Sequence, residues 1–172
     1  MRMLALFAVV LTSCLPAARG EGLAFTESTP RYLVPAQPAL DLTQEVTLEA
    51  WVQADDMGAE GGRILDKSQS GTQLGFMLDT HPGRSLRLLN ANGMCRFAAK
   101  LPADRWTHVC GVYSAPKRIM KLYVDGRMVA ELASGEFKPM TLSPAPLCLG
   151  ADPDGNNRFK GHMARAAIYG RA

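Results

Sequence analysis

The segment 150–157, GADPDGNN, has the composition best suited to chemistry in this sequence. It holds two carboxylates and two amides within a short stretch, at Asp152, Asp154, Asn156 and Asn157. Carboxylate and amide oxygens are the hard ligands that Ca²⁺ prefers, in sets of about six to eight. Asp, Asn and Gly are also the residues that tight turns select for their backbone conformation. The segment therefore predicts either a single calcium site or a turn without a ligand.

Catalytic motifs are absent from the rest of the sequence. The histidines, His81, His108 and His162, are far apart and lack a metal-ligand spacing, and neither a G-x-S-x-G nor a C-x-x-C motif occurs. A retaining glycosidase would need two carboxylates about 5 Å apart around one glycosidic bond. Glu49 is followed by AWVQ, which offers no such partner. We therefore predict that the domain is not an enzyme.

Aromatic and basic residues could also form a binding surface. Trp51 and Trp106 could stack against sugar rings, but both lie within predicted strands, which favours packing in the core. The net charge is +3 and no block of Lys and Arg stands out, so nucleic-acid binding is not predicted. Four scattered arginines are interpreted as solvated side chains: Arg31, Arg84, Arg87 and Arg96.

The elements that must position these residues are short strands. Residues 46–53 alternate apolar and polar side chains, which is the period of a sheet with one face on a core. Asp125 and Gly126 predict a type I′ hairpin turn, because both tolerate positive φ. The number of strands predicts an all-β, two-sheet antiparallel sandwich. The predicted strands are 23–26, 31–34, 46–53, 63–67, 74–79, 85–90, 94–98, 106–113, 119–124, 128–132, 146–150 and 163–169.

Several of these segments resemble laminin-G-like domains. WTHV at 106–109 and LYVDG at 122–126 are similar to the W-x-H-V and L-Y-V-D-G signatures of that family, and 46–52 and 159–169 resemble its strands in the same order. The resemblance covers about residues 22–172 and implies a concanavalin A-like jelly roll. It also implies a non-catalytic recognition domain, in which His108 helps to hold its strand.

The 150–157 segment is similar to a calcium-binding segment of pentraxins, a more distant jelly-roll family. The resemblance implies that Asp152 and Asp154 occupy calcium-ligand positions. Segment 68–73 departs from the pentraxin pattern, because it reads SQSGTQ and has no acid where that family has an Asp-Asn pair. Cys110 matches a disulfide cysteine of pentraxins, but Glu49 stands where its partner would be.

The cysteines after residue 20 are Cys95, Cys110 and Cys148, and three thiols allow at most one internal bridge. A bridge between Cys95 and Cys110 is the first choice, because their strands could be neighbours. Free cysteines that pack as small hydrophobic residues are the alternative.

Residues 1–20 are predicted to be a signal peptide, with an apolar stretch too short to cross a bilayer and small residues at Ala18 and Gly20. The mature domain is then 21–172. An alternative is a lipid anchor at Cys14, because LTSC at 11–14 resembles a bacterial lipoprotein box. The sequence thus predicts an exported binding module for carbohydrate or an extracellular protein, with one possible Ca²⁺. The alternative function is an accessory or structural domain of a larger secreted enzyme.

Overall fold

The structure is a computed structural model that describes residues 8–10, 22–26, 28, 31–56, 58–69, 72 and 74–172. Within these ranges the chain forms thirteen strands and one short 3₁₀ helix, Pro38–Leu40. The strands are β1 (Ala8–Val10), β2 (Leu23–Phe25), β3 (Tyr32–Val34), β4 (Glu45–Ala54), β5 (Arg63–Asp66), β6 (Phe76–Asp79), β7 (Leu86–Asn90), β8 (Gly93–Phe97), β9 (Thr107–Ser114), β10 (Ile119–Val124), β11 (Arg127–Leu132), β12 (Leu147–Leu149) and β13 (Gly161–Tyr169).

The strands form two antiparallel sheets. One has seven strands, in the order β1-β13-β4-β9-β10-β11 with β2 also paired to β13, and the other has six, in the order β3-β12-β5-β6-β7-β8. Neighbouring strands in this order are often distant in sequence, as expected for a jelly roll. The architecture confirms the predicted all-β, two-sheet sandwich.

The core lies between the two sheets. On β4 the alternation predicted from the sequence is confirmed, because Val46, Leu48, Ala50 and Val52 are at most 1% exposed. The sheets approach closely at Gly111 of β9. A Cβ atom there would lie 3.0 Å from a methyl carbon of Leu78, on the opposite sheet. Such contact leaves room only for glycine at this position without movement of the core.

The predicted hairpin between β10 and β11 is also confirmed. Asp125 has φ 49° and Gly126 has φ 75°, as a type I′ turn requires. The Asp125 carboxylate accepts a hydrogen bond of 3.0 Å from the backbone N–H of His108. The turn is therefore fixed both by its backbone conformation and by β9.

The predicted bridge between Cys95 and Cys110 is not formed, and Cys95, Cys110 and Cys148 are free and buried. Cys95 lies on β8 of the six-stranded sheet and packs in the core, whereas β9 belongs to the other sheet. Val109 fills the core from β9, so Cys110 faces the outer side of that strand. The two thiols therefore point into different regions of the sandwich. Burial raises the pKa of Cys110 to about 12 and that of Cys148 to about 11, which leaves both unreactive at neutral pH.

Most of the predicted signal peptide lies outside the described residues, as do Cys14, Ala18 and Gly20. Within 1–20 only β1 is described, and it pairs with β13. Cleavage and lipidation stay predictions. None of the helical segments within the described ranges has the length and apolar character of a membrane span.

Candidate functional site

Trp51 lies on the outer face of the seven-stranded sheet and is 38% exposed. It is flanked on both sides, by His108 of β9 and Ala164 of β13. The prediction that Trp51 packs in the core is wrong, because Ala50 and Val52 occupy the inward positions of β4. The alternation of 46–53 could have placed Trp51 on the outer face, because Trp51 stands at one of the outward-facing positions of that pattern.

His108 contacts this indole, and polar contacts continue from His108 through Glu49 to Tyr169, which lies opposite Thr47. We call Trp51, His108, Glu49 and Tyr169 the Trp51 cluster. The centroids of the Trp51 and His108 rings lie 5.4 Å apart with an interplanar angle of 55°. His108 Nε2 lies 3.4 Å from Glu49 Oε2, and the Tyr169 hydroxyl donates a 3.0 Å hydrogen bond to Glu49 Oε1. That hydrogen bond, followed by burial, raises the pKa of Tyr169.

The Trp51 cluster combines a flat apolar ring with hydrogen-bonding groups that are held in place and extend from His108 along the sheet to Tyr169. Glu49 fixes both His108 and Tyr169, so their positions do not have to be ordered when a ligand binds. An aromatic ring offers a surface for the C–H face of a flat ligand, and the carboxylate, imidazole and phenol can bind hydroxyl groups. This arrangement is suited to binding a polyhydroxylated molecule.

Trp106 precedes β9 and is half-buried. A Cβ atom on Gly22 would lie 2.4 Å from the Trp106 ring, so the ring packs directly on the chain before β2. Its edge contacts His162, with ring centroids 6.4 Å apart. Trp106 also lies outside the buried core, and its contacts hold β2 against the seven-stranded sheet.

The predicted calcium loop is organised around the carboxylate of Asp152, which is 6% exposed. Its Oδ1 accepts backbone hydrogen bonds from Asp154 (3.1 Å) and Asn156 (2.7 Å). Its Oδ2 accepts a 2.7 Å hydrogen bond from the Asn157 side chain. Three N–H donors thus explain the loop conformation, whereas Asp154 and Asn156 are exposed.

Asp152 and Asn157 line a cleft of about 180 Å³ at the outer face of the six-stranded sheet. Asp66, which was not a candidate from the sequence, also lines it, together with Ser68 and Gln69. Burial raises the pKa of Asp66, whose Oδ1 accepts a 2.7 Å hydrogen bond from the Ser68 backbone N–H. Asp154 and Asn156 do not line this cleft.

The fit of this cleft to calcium is partial. Asp66 and Asp152 both contribute carboxylates, but Arg63 Nε lies 3.1 Å from Asp66 Oδ2 and already supplies a positive charge. Across the described part of the chain, no three side chains of Asp, Glu, His or Cys form a metal-binding group. Calcium binding by this loop stays a prediction.

A family profile described as the concanavalin A-like lectin/glucanases superfamily matches residues 27–172. The chain belongs to this superfamily. The match confirms the family resemblance found in the sequence motifs. No curated protein matches the chain.

Three solved structures illustrate the shared fold. A Bacteroides ovatus protein with a proposed role in carbohydrate binding is 20% identical, with a TM-score of 0.67, over 87% of this chain and 43% of its own. The CBM40 of a Ruminococcus gnavus IT-sialidase, bound to α2,3 sialyllactose, is 16% identical, with a TM-score of 0.67, over 89% of this chain and 91% of its own. A heptameric SAP-like pentraxin from Limulus polyphemus is 16% identical, with a TM-score of 0.59, over 88% of this chain and 75% of its own. The chain thus spans less than half the length of the Bacteroides protein.

Proposed function

We propose that this domain is a non-catalytic carbohydrate-binding module that acts outside the cell. The observation that carries the proposal is Trp51, a large aromatic side chain that is 38% exposed within a sheet face, packed against His108 and linked through it to Glu49 and Tyr169. Trp51 would stack on a sugar ring, and the other three would bind hydroxyl groups of that ring and of a neighbouring sugar.

Covering Trp51 would supply part of the binding free energy. A Trp side chain buries on the order of 200 Å², so its exposed part is roughly 80 Å². At about 25 cal/mol per Å², covering that area contributes about 2 kcal/mol. Each hydrogen bond to Glu49, His108 or Tyr169 would add about 1 kcal/mol.

The comparisons support a carbohydrate ligand. The Ruminococcus gnavus module was solved with α2,3 sialyllactose, and carbohydrate binding is the proposed role of the Bacteroides ovatus protein. Both share this fold at low identity, so the choice of sugar must be tested on this chain itself.

A glycan array on the isolated domain tests the proposal. We expect saturable binding to at least one glycan, and loss of affinity of about tenfold or more in Trp51→Ala, because tenfold corresponds to about 1.4 kcal/mol. Trp51→Phe should keep much of the affinity, since it keeps a flat ring. Met128→Ala is the matched control, because Met128 is 52% exposed on β11.

Two results would overturn this function. Binding that is equal in the parent and Trp51→Ala would exclude the Trp51 cluster as the site. The absence of any saturable binding would favour the alternative, an accessory or structural domain of a larger secreted enzyme.

Calcium is the second part of the proposal. We propose a single ion at the cleft, with Asp152 and Asn157 as ligands from the predicted set and Asp66 as an additional carboxylate. The shared cleft supports this choice, and its test is given in the Discussion.

A further inference from the structure

The outer face of the six-stranded sheet carries a row of charged residues. The strand register pairs Arg63 with Asp79, Asp79 with Arg87, and Arg87 with Arg96, across β5, β6, β7 and β8. We call these four residues the arginine row. With strands about 4.8 Å apart, it extends about 14 Å across the sheet. The row holds three cations and one carboxylate, and Asp66 Oδ2 adds a second carboxylate 3.1 Å from Arg63 Nε, so the excess positive charge is that of one arginine.

Two arginines share the only carboxylate of the row. The Asp79 side chain is 0% exposed, and Arg63 Nη1 donates to it. Arg87 binds it with two groups, through Nε at 3.0 Å and Nη2 at 2.7 Å. Both oxygens of the Asp79 carboxylate are therefore bonded to Arg63 or Arg87.

Arg96 is the member of the row without a counter-charge. It is exposed and lies directly opposite Arg87, and it makes no ion pair in the part of the chain that the structure describes. Like charges directly opposite each other on neighbouring strands are destabilising. The earlier interpretation of Arg87 and Arg96 as scattered side chains is wrong, because the register brings them together.

An apolar row lies beside the arginine row on the same face. The register pairs Met77 with Leu89 and Leu89 with Met94. Met94 is 44% exposed, and its sulfur lies 3.9 Å from Arg87 Nη1. At the other end, Arg63 lines the cleft of polar side chains described above. The outer face of the six-stranded sheet thus carries cationic, apolar and hydrogen-bonding groups side by side.

We propose that this face binds a carboxylate-bearing saccharide, with Arg96 as the principal contact of the carboxylate. A guanidinium group presents planar donors that match a carboxylate, and the bond between them is charge-assisted. The incoming charge would also relieve the repulsion between Arg87 and Arg96. The choice of a saccharide over another acid rests on the proposed function, whereas the choice of an acid rests on the row itself. The site lies on the opposite sheet from the Trp51 cluster.

Calorimetric titration of the full chain tests this proposal with two carboxylated probes, α2,3 sialyllactose and tetragalacturonate. Lactose and the methyl ester of tetragalacturonate are their neutral counterparts. We expect binding of at least one carboxylated probe, at least tenfold weaker binding of its neutral counterpart, and weakening at higher salt. Arg96→Glu should lower the affinity at least tenfold. Arg127→Glu, an exposed arginine on the other sheet, is the matched control.

A melting measurement separates loss of the site from loss of the fold. Arg96→Glu replaces a repulsive pair by an attractive one, so its melting temperature should equal or exceed that of the parent. The proposal is overturned if neither acidic probe binds, if the neutral counterparts bind equally, if Arg96→Glu binds like the parent, or if polyglutamate binds as tightly as the saccharides. The proposed function is judged separately, by binding of any glycan that depends on Trp51.

Discussion

At the scale of single residues, the side chains that matter are those whose partners come from other strands. Glu49 holds His108 and Tyr169 across two strand pairings, and Asp79 holds two arginines across two more. A carboxylate between two cationic or donor groups is satisfied only when all three strands are in register. The arrangement of each proposed binding surface therefore depends on the strand register that its central carboxylate requires.

Asp79→Asn should destabilise the domain. The change keeps the size of the side chain but removes the charge that compensates Arg63 and Arg87, whose side chains are only 15% and 16% exposed. Breaking a buried pair by removing one partner costs about 3 kcal/mol or more. Urea denaturation would measure this loss in the free energy of unfolding.

Glu131→Gln provides the comparison for Asp79→Asn. Glu131 forms a more exposed pair with Lys121, at 3.3 Å, and such pairs contribute about 0–1 kcal/mol. If both substitutions lowered the free energy of unfolding equally, the charge of Asp79 would not stabilise the fold by compensating Arg63 and Arg87.

At the scale of elements, the hairpin between β10 and β11 is a case in which local residues determine the structure. Asp125 and Gly126 both have positive φ, and the turn could be predicted because its backbone requirement is read directly from the residue types. The hydrogen bond from the His108 N–H to the Asp125 carboxylate then adds to this local preference.

Gly126→Val should therefore destabilise through backbone conformation alone. Nothing lies within 4 Å of a Cβ atom added at Gly126, so the side chain meets no obstacle. A non-glycine residue in the left-handed region costs about 1–2 kcal/mol. Thermal melting would show the loss, and Arg127→Val, on the adjacent exposed residue, should melt close to the parent. A Gly126→Val variant as stable as the parent would contradict the assigned turn.

At the scale of the whole molecule, the sandwich brings two distant groups of residues to one cleft, Ser68, Gln69 and Thr72 from one part of the chain and Asp152 and Asn157 from another. If calcium binds there, it stabilises the entire fold, because a ligand that binds only the folded state adds RT ln(1 + [L]/Kd). A hundredfold excess over Kd adds about 2.7 kcal/mol. For a domain of this size that is a rise in melting temperature of several degrees.

We expect that rise when melting in millimolar CaCl₂ is compared with melting in EDTA. Asp152→Ala should abolish it, whereas Asp154→Ala, at an exposed residue outside the cleft, should leave it. A melting temperature that is the same in both buffers would leave the loop as a hydrogen-bonded turn. A shift that survives in Asp152→Ala would require a different metal site.

The sequence predicts the fold well and the binding surfaces poorly, for a physical reason. Strand positions and the turn at Asp125 depend on local alternation and backbone preference. The failed pairing of Cys95 with Cys110 and the unexpected contact of Arg87 with Arg96 depend on which strands are neighbours. Strand order is set by contacts between distant segments, which a local pattern does not encode. Trp51 is the exception, because the alternation of its own strand already assigned it to the outer face.

Arg96 has a consequence for solubility that follows from the place of β8 in the sheet. β8 ends the six-stranded sheet and is paired on one side only, with β7, among the described strands. A free edge of this kind can add a strand from another copy of the chain, and charged side chains on the edge oppose such aggregation. With Met94 already exposed on the same strand, an apolar residue in place of Arg96 would leave an edge suited to self-association. The residue that we propose to bind the ligand would therefore also help to keep the domain from assembling with itself.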